Sequence, residues 1–250
     1  MRKSISVFAA SGLAWLISAS GAVAQTLPKV SVEVGESAVP KDLSTTLQII
    51  ILMTVLALAP SIIIMVTSFI RFAVVLSFLR QAIGINQMPP NQLLVALALI
   101  LTFFVMSPVI NKSYNEGIKP YLDETITKEE AFDKATAPFR KFMLSQTREK
   151  DLALFVGIAG IDSPDNSDDI PLHVLVPGFV ISELRTAFQI AFVIFVPFLV
   201  IDMVVASVLM SMGMMMLPPI IVSLPFKILL FVLVDGWYML IKSLVESFKV

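Results

Sequence analysis

The chain has 250 residues, of which 57% are hydrophobic and only 15% charged, and 18 basic against 19 acidic residues leave a net charge of −1. A mean hydropathy of +0.88, with several apolar runs near or above roughly 18 residues, excludes an ordinary soluble domain and marks an integral membrane protein. The even charge balance without a basic stripe excludes a nucleic-acid surface, and the absence of cysteine excludes disulfides, thiolate catalysis and cysteine-bound metal or iron–sulfur sites.

Met1-Arg2-Lys3 forms a positive n-region, Ile5 to about Ser18 an apolar core, and Ala22-Val23-Ala24 a small-residue cleavage site before Gln25. Residues 1–24 are therefore expected to be a cleavable signal peptide. The rival is an uncleaved membrane helix, but the run is short and broken by serines and Gly12. Cleavage would place the mature N-terminus in a bacterial periplasm. Residues 25–42 are polar, hold Pro28, Gly35 and Pro40, and are expected to form an extended periplasmic segment.

Residues 43–110 read as a first hydrophobic hairpin. Its first helix is expected from about Leu43 to Ser68 with Pro60 inside, continuing past Arg71 through Phe72–Leu79 and ending at Arg80. Arg71 and Arg80 are the only basic residues between the two apolar segments, and they are assigned to the cytoplasmic side in line with the positive-inside tendency. Gly84 and the Pro89-Pro90-Asn91 turn lead into a second helix over Gln92–Met106, stopped near Pro108.

Residues 111–178 form the one polar stretch, expected to be a periplasmic helical region. Thr127-Lys128-Glu129-Glu130 has the form of a capping box. Behind it Ala131, Phe132, Ala135, Phe139, Phe142 and Met143 recur at the spacing of one apolar helix face, with Pro138 expected to bend the helix. That face must pack either on the chain's own membrane helices or on a neighbouring copy, and the spacing fits both. The acidic stretch Asp162 to Asp169 lacks the central glycine and terminal glutamate of a calcium loop and reads as a solvated loop.

Residues 179–250 read as a C-terminal hairpin, with arms over Phe179–Met210 and Pro219–Ser247 interrupted by Pro197 and Pro225. Between the arms lies Val208-Leu-Met-Ser-Met-Gly-Met-Met-Met-Leu-Pro-Pro219, which concentrates five of the 13 methionines at positions 210, 212, 214, 215 and 216. Methionine is flexible and polarisable, and it suits changing partners better than a fixed core. The stretch reads either as a buried turn of a membrane bundle or as a deformable seal at the hairpin's mouth.

Glu183, Arg185, Asp202, Lys227 and Asp235 lie in or beside these arms, where each charge costs roughly 2.5–3.5 kcal/mol or more unless it pairs or meets water. At about 1.5 Å per residue, Asp202 and Lys227 sit at similar depth on opposite arms. They are expected to pair, within one hairpin or between subunits. The polar region also carries eight Lys and Arg residues, an unusual load for a translocated segment, although long segments are partly exempt from the charge rule. Together with the kinks, this argues that the apolar helices are buried in a large assembly as much as in lipid.

Catalytic signals are missing. There is no phosphate-loop or dinucleotide-binding glycine pattern. His173 is the only histidine, which leaves little for a metal site or a catalytic triad. Neither enzymatic activity nor a cofactor is expected, and no catalytic, cofactor-binding or metal-ligating residue is assigned. An ion-coupled secondary transporter with Asp202, Lys227 and Asp235 as a relay would show an internal repeat with matching broken helices, and the two halves differ in length and motif.

Two long signatures then bring a family into view. Thr67–Val109 carries R-Q-A-x-G (Arg80–Gly84) and P-P-N-Q (Pro89–Gln92); Phe179–Trp237 carries S-E-L-x-T-A-F-Q (Ser182–Gln189), G-M-M-M (Gly213–Met216) and L-V-D-G-W (Leu233–Trp237). The chain resembles the FliP family over nearly all of its mature length. The resemblance implies an all-α integral membrane protein of two long kinked helical hairpins plus the polar region, acting as a subunit of the flagellar type III protein export gate in the bacterial inner membrane. The leader and extended N-terminus favour the flagellar branch over the virulence-injectisome branch. Implied partners are further copies of the chain (usually five), FliQ, FliR, FlhB and FlhA, and the unfolded proteins exported. The G-M-M-M match implies a pore gasket of Met214, Met215 and Met216, with Met210 and Met212 as neighbours. Phe142, Phe155 and Glu183 are the implied subunit-interface residues.

Overall fold

The computed structural model describes residues 40–85, 88–161, 170–214 and 216–248. The expected signal peptide, most of the 25–42 segment, the acidic loop at 162–169 and Met215 lie outside them. The chain divides into two units, residues 1–51 and 52–250, and everything below from the second helix onward belongs to the second unit.

All regular structure among the described residues is helical: α1 Pro40–Met65, α2 Phe69–Ile83, α3 Asn91–Ser113, a π-helical turn Tyr114–Ile118 running into α4 Lys119–Leu122, α5 Lys128–Gln146, α6 Glu149–Ala159, α7 Leu172–Ser211, α8 Pro219–Leu233 and α9 Gly236–Glu246. The chain is an all-α membrane protein. Among the described residues three stretches, Thr46–Met65, Asn91–Leu122 and Leu172–Ser211, are long and apolar enough to cross a bilayer, and the bent pair α8–α9 makes a fourth if it counts as one span.

The helix boundaries depart from the sequence reading in four places. The first helix does not run on to Arg80: a turn over Val66–Ser68 separates α1 from α2, so Arg71 stands in the first turn of a new helix. Pro108 does not stop α3, which continues to Ser113. α7 starts at Leu172 and runs for 40 residues through Pro177 and Pro197. Proline costs a helix one hydrogen bond and some room, but membrane helices tolerate it where neighbouring helices, hydroxyl side chains or small local adjustments satisfy the freed carbonyl. The second arm, by contrast, breaks where no proline stands: α8 and α9 meet at 63°. Asp235 takes a left-handed φ of 50° there, a conformation that Asp adopts more readily than most residues. A Cβ on Gly236 would run into the Phe231 ring, so only glycine lets the chain turn so close to α8.

The expected capping box forms in part, with the Thr127 hydroxyl accepting from the Glu130 amide at 3.3 Å. The apolar face of α5 packs partly on the chain itself. Phe142 and Met143 are buried and Phe139 is half-buried, whereas Phe132 remains 63% exposed.

The core runs along α2, from Phe72, Val75, Leu76 and Leu79 against Leu175, Phe179 and Ala187 of α7 and Leu244 of α9. Phe72 and Phe142 both pack on Phe248, with ring centroids 5.3 and 6.3 Å apart. α7 thus forms the backbone of the fold, with α2 along one side and the broken second arm folded back beside it.

Candidate functional site: a methionine tip and two buried ion pairs

The methionine stretch is the tip joining α7 to α8. α7 ends in a Schellman arrangement: the Met214 amide donates to the Leu209 carbonyl at 3.0 Å and the Gly213 amide to the Met210 carbonyl at 3.0 Å. Gly213 has a φ of +76° and open space around it, so glycine is required by the backbone rather than by crowding. Pro218 then caps α8, with Pro219 in its first turn. The tip turns within seven residues and leaves its described methionine side chains outside. Met216 is 99% exposed, and Met210, Met212 and Met214 are exposed too. Four of the five methionines are therefore placed, and none of the four is buried by its own chain.

The two arms are fixed by charge. Lys227 of α8 is 3% exposed. Its Nζ lies 2.6 Å from Oδ2 of Asp202 on α7 and donates to the Ala82 carbonyl in the last turn of α2 at 3.3 Å. The Ser223 hydroxyl donates to Oδ1 of Asp202 at 2.5 Å. The structure thus brings the expected partners together within a single chain. It adds a helix C-terminus, whose partial negative charge favours the ammonium.

The second pair has no counterpart in the sequence reading. Arg71, assigned there to the cytoplasmic connection, is 2% exposed and belongs to the interior. Its Nε donates to Oε2 of Glu183 at 2.8 Å and its Nη2 to Oε1. Nη1 reaches the Ser247 carbonyl at 3.0 Å and hydroxyl at 2.8 Å, and Nη2 also reaches Oε1 of Gln146 at 3.3 Å. The guanidinium carries five donor hydrogens and meets five acceptors, while its Cζ sits 3.8 Å over the Phe248 ring. Beside it Ser182, also fully buried, donates to Asp151 at 2.7 Å and accepts from the Arg148 amide at 3.1 Å. An isolated charge would not survive there. A planar fork with every donor used and an aromatic lid does.

Of the implied interface residues, Glu183 is spent on Arg71 and fully buried. Phe142 is 4% exposed and packs edge-on to Phe179 at 5.9 Å. Phe155 is half-buried on α6. Among the described residues no group of His, Asp and Glu side chains is placed to hold a metal ion.

The sequence pattern of the FliP family matches residues 52–244. The chain belongs to the FliP family. It is 54% identical over 217 residues to the flagellar biosynthetic protein FliP of Bacillus subtilis, covering 87% of this chain and 98% of that protein. It is 53% identical over 245 residues to that of Caulobacter vibrioides, covering 98% and 90%, and 46% identical to that of Aquifex aeolicus over the full length of both. The family match includes both ion pairs and the methionine tip.

Proposed function

We propose that this FliP-family chain is a non-enzymatic core subunit of the flagellar type III protein export gate. Several copies, five in the form we favour, would assemble with FliQ and FliR in the inner membrane at the flagellar basal body, adjoining FlhB and FlhA, with the mature N-terminus on the periplasmic side. The observation that carries this reading is the methionine tip, held by two charge-fixed arms and uncovered by its own chain. Apolar side chains so exposed need an opposing surface, and copies arranged around an axis would supply it by facing their tips together.

In such a ring the thioethers of Met214, Met215 and Met216, flanked by Met210 and Met212, close the pore by dispersion contact and exclusion of water. They yield to an extended polypeptide because unbranched thioether chains repack around varied side chains. The driving energy comes from other components. Phe142, Phe155 and Glu183 would then act on the ring through the shape of the subunit they hold together.

Replacing Met214, Met215 and Met216 together by alanine should raise ion leak through the assembled complex in liposomes while the complex still purifies intact. Unchanged leak removes the seal and leaves a scaffold. A virulence-injectisome homologue would share this mechanism, and complementation of a motility defect separates the two branches.

A further inference from the structure

Asp235 is the charge that the fold leaves unspent. It stands at the 63° break between α8 and α9, in a left-handed backbone with a φ of 50°. Aspartate is among the best residues for capping a helix, yet its side chain makes no cap bond to the amides of α9. Among the described residues no ion pair or side-chain hydrogen bond reaches its carboxylate. The residue is exposed, and the surface around it is apolar: Leu233 is 73% exposed, Val232 68% and Tyr238 61%. The L-V-D-G-W motif thus sets one negative charge in an outward apolar patch, on a pair of helices that together are long and apolar enough to span.

The other charges of the two apolar hairpins find groups within the chain. Arg71 holds Glu183, Lys227 holds Asp202, Lys242 faces Glu246 at 4.0 Å, and Arg80 donates to the Asn91 side chain at 2.6 Å. Among the described residues of the hairpins this leaves Arg185, exposed on α7. It stands at another level. Lys227 lies opposite Asp202 and Phe231 packs on Phe198, a register that sets Asp235 opposite Ile194. Arg185 is nine residues farther from the methionine tip, about 14 Å along the helix axis. Copies of the chain held at one depth therefore bring no free cation to Asp235.

Hydrocarbon admits no irregular backbone facing lipid, so a partner at this level is a helix. The charge in the patch then specifies one feature of its sequence. We propose that the α8–α9 break docks an apolar membrane helix of a different protein, which presents a single lysine or arginine to Asp235. Val232, Leu233 and Tyr238 supply apolar contact. The ion pair supplies selection, because a helix without the cation would leave the carboxylate desolvated and alone. The inference rests on the chain's membrane embedding and not on export or on the methionine seal, so each can fail without the other.

The test uses the full chain in native membranes, with Tyr238→benzoylphenylalanine as a photo-cross-linker beside Asp235. Irradiation should give an adduct whose peptide, sequenced by mass spectrometry, comes from an apolar segment of another membrane protein with one Lys or Arg in it. Asparagine also adopts the left-handed backbone, so Asp235→Asn keeps the break. It should cut retention of that protein in the detergent-purified complex by on the order of thirtyfold. Asp235→Lys should lose the partner, and replacing the partner's cation by glutamate should restore it in that background. An adduct to a second copy of this chain, or to no protein, overturns the proposal. Undiminished retention in Asp235→Asn overturns it too, as does failure of the exchanged charges to restore binding while circular dichroism shows both chains helical.

Discussion

Arg71 and Lys227 are the two cations that the interior could least accept alone. Arg71 meets five acceptors, and Lys227 meets Asp202 and the Ala82 carbonyl, all on other helices or helix ends. Removing one partner of a buried pair leaves an uncompensated charge, whereas removing both leaves only a packing defect. Arg71→Met should therefore destabilise the detergent-solubilised protein by about 3–5 kcal/mol, and Arg71→Met with Glu183→Met should recover most of that loss. The readout is denaturant unfolding followed by circular dichroism. Additive losses would mean that Arg71 acts chiefly through Ser247 and Phe248. Such pairs leave a weak trace in sequence. Asp202 and Lys227 can be matched because a hairpin makes depth countable from its tip. Arg71 and Glu183 are 112 residues apart in separate hydrophobic segments, and no periodicity connects them.

At the scale of elements, the long arms, the capped α5 and the methionine turn all follow from local rules: apolar length, the Thr127 cap, and glycine followed by paired prolines. The breaks do not follow from those rules. Proline is the expected breaker, yet α3 and α7 run through Pro108, Pro177 and Pro197. The second arm instead breaks at Asp235-Gly236, where the Phe231 ring leaves no room for a side chain. Gly236→Ala should consequently cost about 1–3 kcal/mol through overpacking. Gly157→Ala, on α6 with nothing near the added methyl, should instead stabilise by about 0.5–1 kcal/mol. Thermal melts of the two variants in one detergent compare them directly, and equal effects would mean that the break does not depend on Phe231.

On the scale of the whole molecule, much of the apolar surface of the described helices has no cover within the chain. Phe103, Phe104 and Phe192 lie on the outside of α3 and α7, and in α1 none of the Thr46–Met65 window is buried. Water would not tolerate such surfaces, so lipid and other subunits must share them. Extracted gently from native membranes, the chain should come out in a large complex with two other small, very hydrophobic proteins. Recovery as a small homo-oligomer by mass would instead favour a transporter. Composition alone reveals that these faces are apolar, but it cannot divide them between lipid and protein, because hydrocarbon and a protein interior select the same side chains.

The Arg71 node also has a consequence in time. Ser247 is made 176 residues after Arg71, which at about 5–20 residues per second is roughly 9–35 s of synthesis. For the first 112 of those residues the head of α2 carries an arginine with neither Glu183 nor Ser247 to receive it, and from then until Ser247 is made only Glu183 is there. The order of translation thus makes the last helix the latch, and the subunit's interior closes only when α9 swings back onto a site prepared long before it.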